Sequence, residues 1–136
     1  MLLDTSGLLC LQHRAEPFHA RACVLYQTAR RRLTHSYILA EYIALATVRG
    51  LPRPQVLQYV ADLVANPDIV VVWVDEPCHR AALALLVARP DKLYSLCDAV
   101  SFVLMRQWQF TEALTTDRHF VQEGFQRLLV DDTILR

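Results

Sequence analysis

Four carboxylates stand where the chain would otherwise be apolar. Asp4 closes the opening Met1-Leu2-Leu3, and Asp117 follows Ala113-Leu114-Thr115-Thr116. Glu41 is the single charged residue from Ile38 to Ala46, and Asp98 is the single one from Leu93 to Met105. Each has an ordinary reading. Asp4 and Asp117 suit helix N-caps, Glu41 suits the edge of a core, and Ser95-x-x-Asp98 matches a capping box. Taken together they point elsewhere, because two follow strand-like runs and two interrupt helices that otherwise call for burial. Clustered acids repel and coexist at neutral pH only with a compensating cation. Hard oxygen ligands select Mg²⁺ or Mn²⁺ over Zn²⁺. One such ion, or a pair about 4 Å apart, can activate water and stabilise the leaving oxygen of a phosphodiester. Metal-dependent phosphodiester hydrolysis is therefore the chemistry these residues support. Ser101, one turn beyond Asp98, shares its helix face.

The elements that must position these groups alternate. Strands are predicted at residues 1–3, 33–35, 69–74, 113–115 and 127–130. The run 69–74 is β-branched and continuously apolar, as a strand covered on both faces should be. Asp4-Thr5-Ser6-Gly7 signals the start of a helix. Further helices are predicted over about 17–32, 37–49 with Ser36 as N-cap, 54–65, 76–89, 95–107 and 118–122. This alternation implies right-handed crossovers and a mostly parallel sheet between helix layers, an α/β class. In such folds ligands bind beyond the carboxyl ends of the strands, where Asp4 and Asp117 fall.

Composition bounds the rest. With 136 residues, 54% hydrophobic and 21% charged, the chain suits a single domain over 1–136 with a proper core, and disorder is excluded. The 14 basic and 14 acidic residues cancel, so nucleic-acid binding would rest on a local patch or on bound cations. Two divalent ions would move the net charge from zero to +4. Arg30, Arg31, Arg32, Arg49, Arg53 and Arg118 are candidates for phosphate contact, although an Arg run also suits a solvated helix end. The cysteines at 10, 23, 78 and 97 form no C-x-x-C pair, which fits reduced thiols in a cytoplasmic protein. The opening lacks the basic start of a signal peptide, and the longest apolar run is too short to span a bilayer.

The residues resemble a known family. Leu3-Asp4-Thr5-Ser6-Gly7-Leu8-Leu9, Leu39-Ala40-Glu41, Asp91 to Phe102 around Cys97-Asp98, and Leu114 to Phe120 around Asp117 match the PIN domains in order and spacing. Within them, the chain is most similar to the stand-alone VapC-like ribonucleases that act as toxins of toxin–antitoxin pairs. The resemblance implies a three-layer α/β/α sandwich around a parallel sheet of four or five strands. It implies one acidic site of Asp4, Glu41, Asp98 and Asp117 binding Mg²⁺ or Mn²⁺, with Asp4 and Asp98 as the firmest ligands. Glu41 would assist the metal or the attacking water, and Asp117 would complete the site. Thr5 and Ser6 become candidates for orienting Asp4, with Thr115 and Ser101 supporting the ligands. The reaction implied is RNA hydrolysis leaving a 3′-hydroxyl and a 5′-phosphate. Cys97 stands where relatives often carry Thr or Val.

Rival readings fit less well. A haloacid-dehalogenase-type phosphatase needs a second Asp where Ser6 stands, and a receiver domain needs an acidic pair near its start. The five His residues include no H-E-x-x-H pattern. A PIN-domain protein of RNA processing or decay, without an antitoxin, stays open. So does a non-catalytic RNA- or partner-binding module, although that would be expected to lose an acidic residue. The mean hydropathy of +0.21 leads us to expect a homodimer, with a small antitoxin protein as a further partner if the toxin reading holds.

Overall fold

The strands lie where the apolar runs occur, but they are shorter than the runs. A computed structural model describes residues 1–131. In chain order the elements are β1 (Leu2–Leu3), α1 (Thr5–Gln12), α2 (His19–Thr28), β2 (Leu33–His35), α3 (Ser36–Val48) and α4 (Arg53–Ala65). They continue with β3 (Val70–Val72), α5 (Glu76–Ala88), α6 (Leu96–Gln107), β4 (Glu112–Leu114), α7 (His119–Gln122) and β5 (Gln126–Arg127).

All five strands are parallel, in the order β3-β2-β1-β4-β5. Right-handed crossovers place α1 to α4 on one face and α5 to α7 on the other, an α/β/α sandwich. Within each face α1 meets α2 and α3, α3 meets α4, and α5 meets α6, which meets α7; α3 also meets α6, where His35 at the start of α3 bonds Ser101. The centre is dry. Leu2, Leu3, Leu33, Ala113 and Leu114 are all fully buried. The chain leaves β1 toward β2 on one side and later returns to β4 on the other. The carboxyl ends of β1 and β4 thus flank the topological switch point, where such sheets bind ligands.

One close contact sets that junction. A Cβ on Gly7 would lie 2.0 Å from the carbonyl oxygen of Leu114, so only glycine lets the first turn of α1 rest on the β4 backbone. Asp4 and Thr115 are brought together as a result.

Three sequence expectations need correction. Ser36 is the first residue of α3 and not its N-cap, a place taken by His35, whose ring accepts from the Ile38 amide. Residues 69–74 do not form a strand covered on both faces: β3 is an edge strand, with Val70 42% exposed and Trp73 63% exposed. The helix expected to run to residue 32 stops at Thr28, because Arg32 turns back on it. Its Nε donates to the Tyr26 carbonyl at 2.8 Å, and its guanidinium lies 4.4 Å from the Tyr26 ring centroid. A basic side chain thereby satisfies carbonyls that end the helix. All four cysteines are free thiols. Among the described residues no helix is long and apolar enough to cross a membrane.

Candidate metal centre

Asp4 occupies the N-cap position of α1 but caps nothing with its side chain. Its Oδ2 instead accepts a 2.6 Å hydrogen bond from the Thr115 hydroxyl. Proton accounting orders the neighbours. Thr115 spends its proton on Asp4, so Ser6 Oγ donates to Thr115 Oγ1 at 3.2 Å. The Thr116 amide donates to Ser6 Oγ at 3.0 Å, and the Asp117 amide donates to Thr115 Oγ1, also at 3.0 Å. Hydrogen bonds aligned in one direction strengthen each other. Thr115 therefore holds Asp4 directly, and Ser6 holds Thr115.

This support does not fully compensate the charge. Burial pushes the Asp4 carboxyl up to about 7, and Asp98 and Glu41 add to the rise against the opposing bonds from Thr115 and the Thr5 amide. The adjacent Thr5 hydroxyl is buried without a hydrogen-bond partner. Thr5 thus contributes its amide, and its side chain touches none of the carboxylates through a described hydrogen bond.

Asp98 forms the capping box and also faces His119. Ser95 Oγ accepts from the Asp98 amide and Asp98 Oδ2 accepts from the Ser95 amide, each at 3.0 Å, completing the capping box of α6. The same Oδ2 lies 3.1 Å from His119 Nδ1. Burial raises the Asp98 pKa, Asp117 raises it further, and the Ser95 amide and His119 oppose the rise. Asp117 Oδ1 accepts from the His119 amide at 2.9 Å and stands 3.4 Å from His119 Nδ1. Ligand atoms of Asp98, Asp117 and His119 all lie within 4.8 Å of one another.

Glu41 is exposed on α3. Its charge reaches Asp4, and it joins Asp4 and Asp98 around Cys97, whose buried thiol is pushed far above the ordinary range by burial first and then by these acids. The four sequence-derived carboxylates thus act on a common neighbourhood.

Ser101 does not touch them. It donates to the Cys97 carbonyl at 3.1 Å and lies 2.8 Å from His35 Nε2. His35 Nδ1 accepts from the Ile38 amide, so Nε2 carries the proton and donates to Ser101. Burial pushes the His35 pKa down to about 3, which leaves a neutral ring that caps α3.

The Arg residues are dispersed. Arg30, Arg31 and Arg32 precede β2 at the amino ends of the strands, opposite the acidic site. Arg31 lies 4.7 Å from the Phe110 ring centroid, and Arg32 is engaged by Tyr26. Arg49 pairs with Glu16. Arg53 donates to Thr47 Oγ1 at 3.4 Å. Arg118 is exposed beside Asp117.

Sequence reasoning missed His119. The available signal was its place two residues after Asp117, in the same strand-to-helix turn. It also missed a supporting cluster in which buried Glu123 binds Arg89 at 3.0 Å, Arg106 at 2.5 Å and the Tyr94 hydroxyl at 3.3 Å. The Tyr94 ring packs edge-on against His119, 5.3 Å between centroids.

These residues suit a hard divalent cation. Carboxylate oxygens dominate, one carboxyl is buried with its charge incompletely offset, and an unpartnered hydroxyl adjoins it.

No family model matches the chain, and no curated protein matches its sequence. Among solved structures, it is similar to VapC20 of Mycobacterium tuberculosis, a sarcin-ricin loop cleaving toxin. The two share 24% sequence identity at a TM-score of 0.83, over 92% of this chain and 95% of that chain. The resemblance read from the four motifs therefore extends to the backbone, and the chain has the fold of a VapC toxin.

Proposed function

We propose that this protein is an endoribonuclease that hydrolyses RNA phosphodiester bonds with a divalent ion, Mg²⁺ or Mn²⁺, held by Asp4, Asp98 and Asp117 with Glu41 at the rim. The observation that carries this reading is the convergence of Asp98, Asp117 and His119 ligand atoms within 4.8 Å, at the sheet's switch point and in the field of buried Asp4. A bound ion would supply activation of water and neutralisation of charge at phosphorus.

The chain's own groups divide the remaining work. Thr115 and Ser6 fix the Asp4 carboxylate, and the capping box fixes Asp98. Such supports hold ligand oxygens in place while substrate enters. Glu41, exposed on α3 and hydrogen-bonded by the Cys97 thiol, would serve as the base toward an attacking water. Arg118, exposed next to Asp117, would meet a substrate phosphate. Arg30, Arg31 and Arg32 lie at the far end of the sheet, where they could reach only distant parts of a long RNA.

The likeness to VapC20 supports a toxin of a toxin–antitoxin pair, with a structured ribosomal loop as the first substrate to try. We further propose a cytoplasmic homodimer that binds a small antitoxin protein. Incubating labelled sarcin-ricin loop RNA with the protein in Mg²⁺, in Mn²⁺ and in chelator tests the activity. Cleavage that needs the ion and disappears in Asp98→Asn supports it. Equal cleavage by the variant, or in chelator, refutes it.

A further inference from the structure

We propose that His119 is itself a metal ligand, through Nδ1, and that it biases the centre toward Mn²⁺ over Mg²⁺. This rests on the metal-centre reading above and adds a nitrogen donor to it. Nδ1 stands 3.1 Å from Asp98 Oδ2, to which it donates when no ion is bound, and 3.4 Å from Asp117 Oδ1; ligation through Nδ1 displaces that proton, with the neutral ring keeping its hydrogen on Nε2. Adjacent ligands of an octahedral ion with bonds of about 2.1 Å lie about 3 Å apart. The imidazole nitrogen and the two oxygens therefore already approach the spacing of one face of such an ion.

The ring is held from several sides. Its own backbone amide donates to Asp117 Oδ1 at 2.9 Å, which ties the residue to one of its co-ligands. Tyr94 packs edge-on against it, and the Tyr94 hydroxyl is anchored on Glu123 at 3.3 Å. Glu123 is in turn fixed by Arg89 and Arg106. Nδ1 is thus presented to the carboxylates by a built support. The chemical consequence follows from donor type. Both ions favour oxygen, but Mn²⁺ is a first-row transition ion, at the weak end of that series, and accepts an imidazole nitrogen more readily than the harder Mg²⁺.

Electron paramagnetic resonance of Mn²⁺ bound to the protein, without RNA, tests this directly. Wild type should show a nitrogen hyperfine coupling, and His119→Gln should lose it. In competition titrations the variant should bind Mn²⁺ about tenfold more weakly, the low end for a disturbed metal site, while its Mg²⁺ affinity stays close to wild type. Loss of both ions by the same factor, or no nitrogen coupling in wild type, would overturn the proposal and leave His119 as a hydrogen-bonding neighbour. Wild type that binds neither ion would overturn the metal-centre reading along with it. The coupling in wild type needs no variant, so a folding defect in His119→Gln would not obscure the result.

Discussion

Replacing Asp4 by Asn should make the metal-free protein more stable at neutral and alkaline pH while destroying its response to metal. The Asp4 carboxyl titrates near 7 in the folded state against an ordinary 3.8. Its folded pKa is raised, so the stability that goes with the protonated form is complete below about pH 4. It is lost progressively as pH rises to about 7. A shift of roughly three units corresponds to about 4 kcal/mol as an upper bound, at about 1.4 kcal/mol per unit. Asn keeps the shape and removes the charge. At pH 8 in chelator, Asp4→Asn should therefore melt higher than wild type, by on the order of 10 °C for a chain of this size. Near pH 4 the two should converge. His35 works in the opposite direction: its pKa is pushed down to about 3, so the stability it contributes is lost as pH falls below about 6.5. The difference between the two proteins, not either curve alone, isolates Asp4. Adding Mn²⁺ at pH 8 should raise the melting temperature of wild type and leave the variant unmoved. A variant no more stable than wild type at pH 8 in chelator would refute the reasoning, because Asp4 would then carry no uncompensated charge.

Three further outcomes follow from the packing. Gly7→Ala should cost about 3 kcal/mol in urea unfolding, since the new methyl meets the Leu114 carbonyl, which cannot yield as a side chain would. Ser95→Ala should cost about 1 kcal/mol in urea unfolding through loss of the cap, because the Asp98 amide loses its acceptor, while Mn²⁺ affinity in calorimetry should stay close to wild type because Asp98 Oδ2 keeps its bond from the residue-95 amide. Burial alone would raise the Glu123 pKa, but hydrogen bonds and charge from Arg89 and Arg106 hold it below the usual carboxylate range. The stability this contributes is present above that range and is lost as pH falls through the folded pKa. Both arginines are partly exposed, so Glu123→Gln should cost about 2 kcal/mol at pH 7, below the usual figure for a broken buried pair. The deficit should shrink in acid when unfolding is followed by circular dichroism.

Local signals in the sequence were reliable where the physics is local. The Ser95-Asp98 capping box is a contact between residues three apart, and it forms as the spacing implies. The carboxylates were visible because a lone charge in an apolar run has few reasons to be there. What stayed hidden depends on the order of elements in space. Nothing within residues 69–74 shows that β3 takes the edge of the sheet, because a run of valines looks the same in a central strand. The Arg run at 30–32 reads as a helix end, but α2 stops short of it at Thr28, and exposed Arg31 lies over Phe110, far away in sequence. His119 carried no isolated-charge signal, since its role depends on Asp98, twenty-one residues earlier, arriving beside it. For Asp4 the choice between cap and site was undecidable locally. Its side chain makes no cap bond and accepts instead from Thr115, just past the end of a different strand.

The central claim is that these carboxylates act through a divalent ion and water. The chemistry of the cut ends tests it most directly. Products of wild-type cleavage in Mn²⁺ should carry a 5′-phosphate and a 3′-hydroxyl, identified by mass spectrometry of a short labelled RNA. Ends bearing a 2′,3′-cyclic phosphate and a 5′-hydroxyl would mean that the RNA's own 2′-hydroxyl attacks, and would contradict the account.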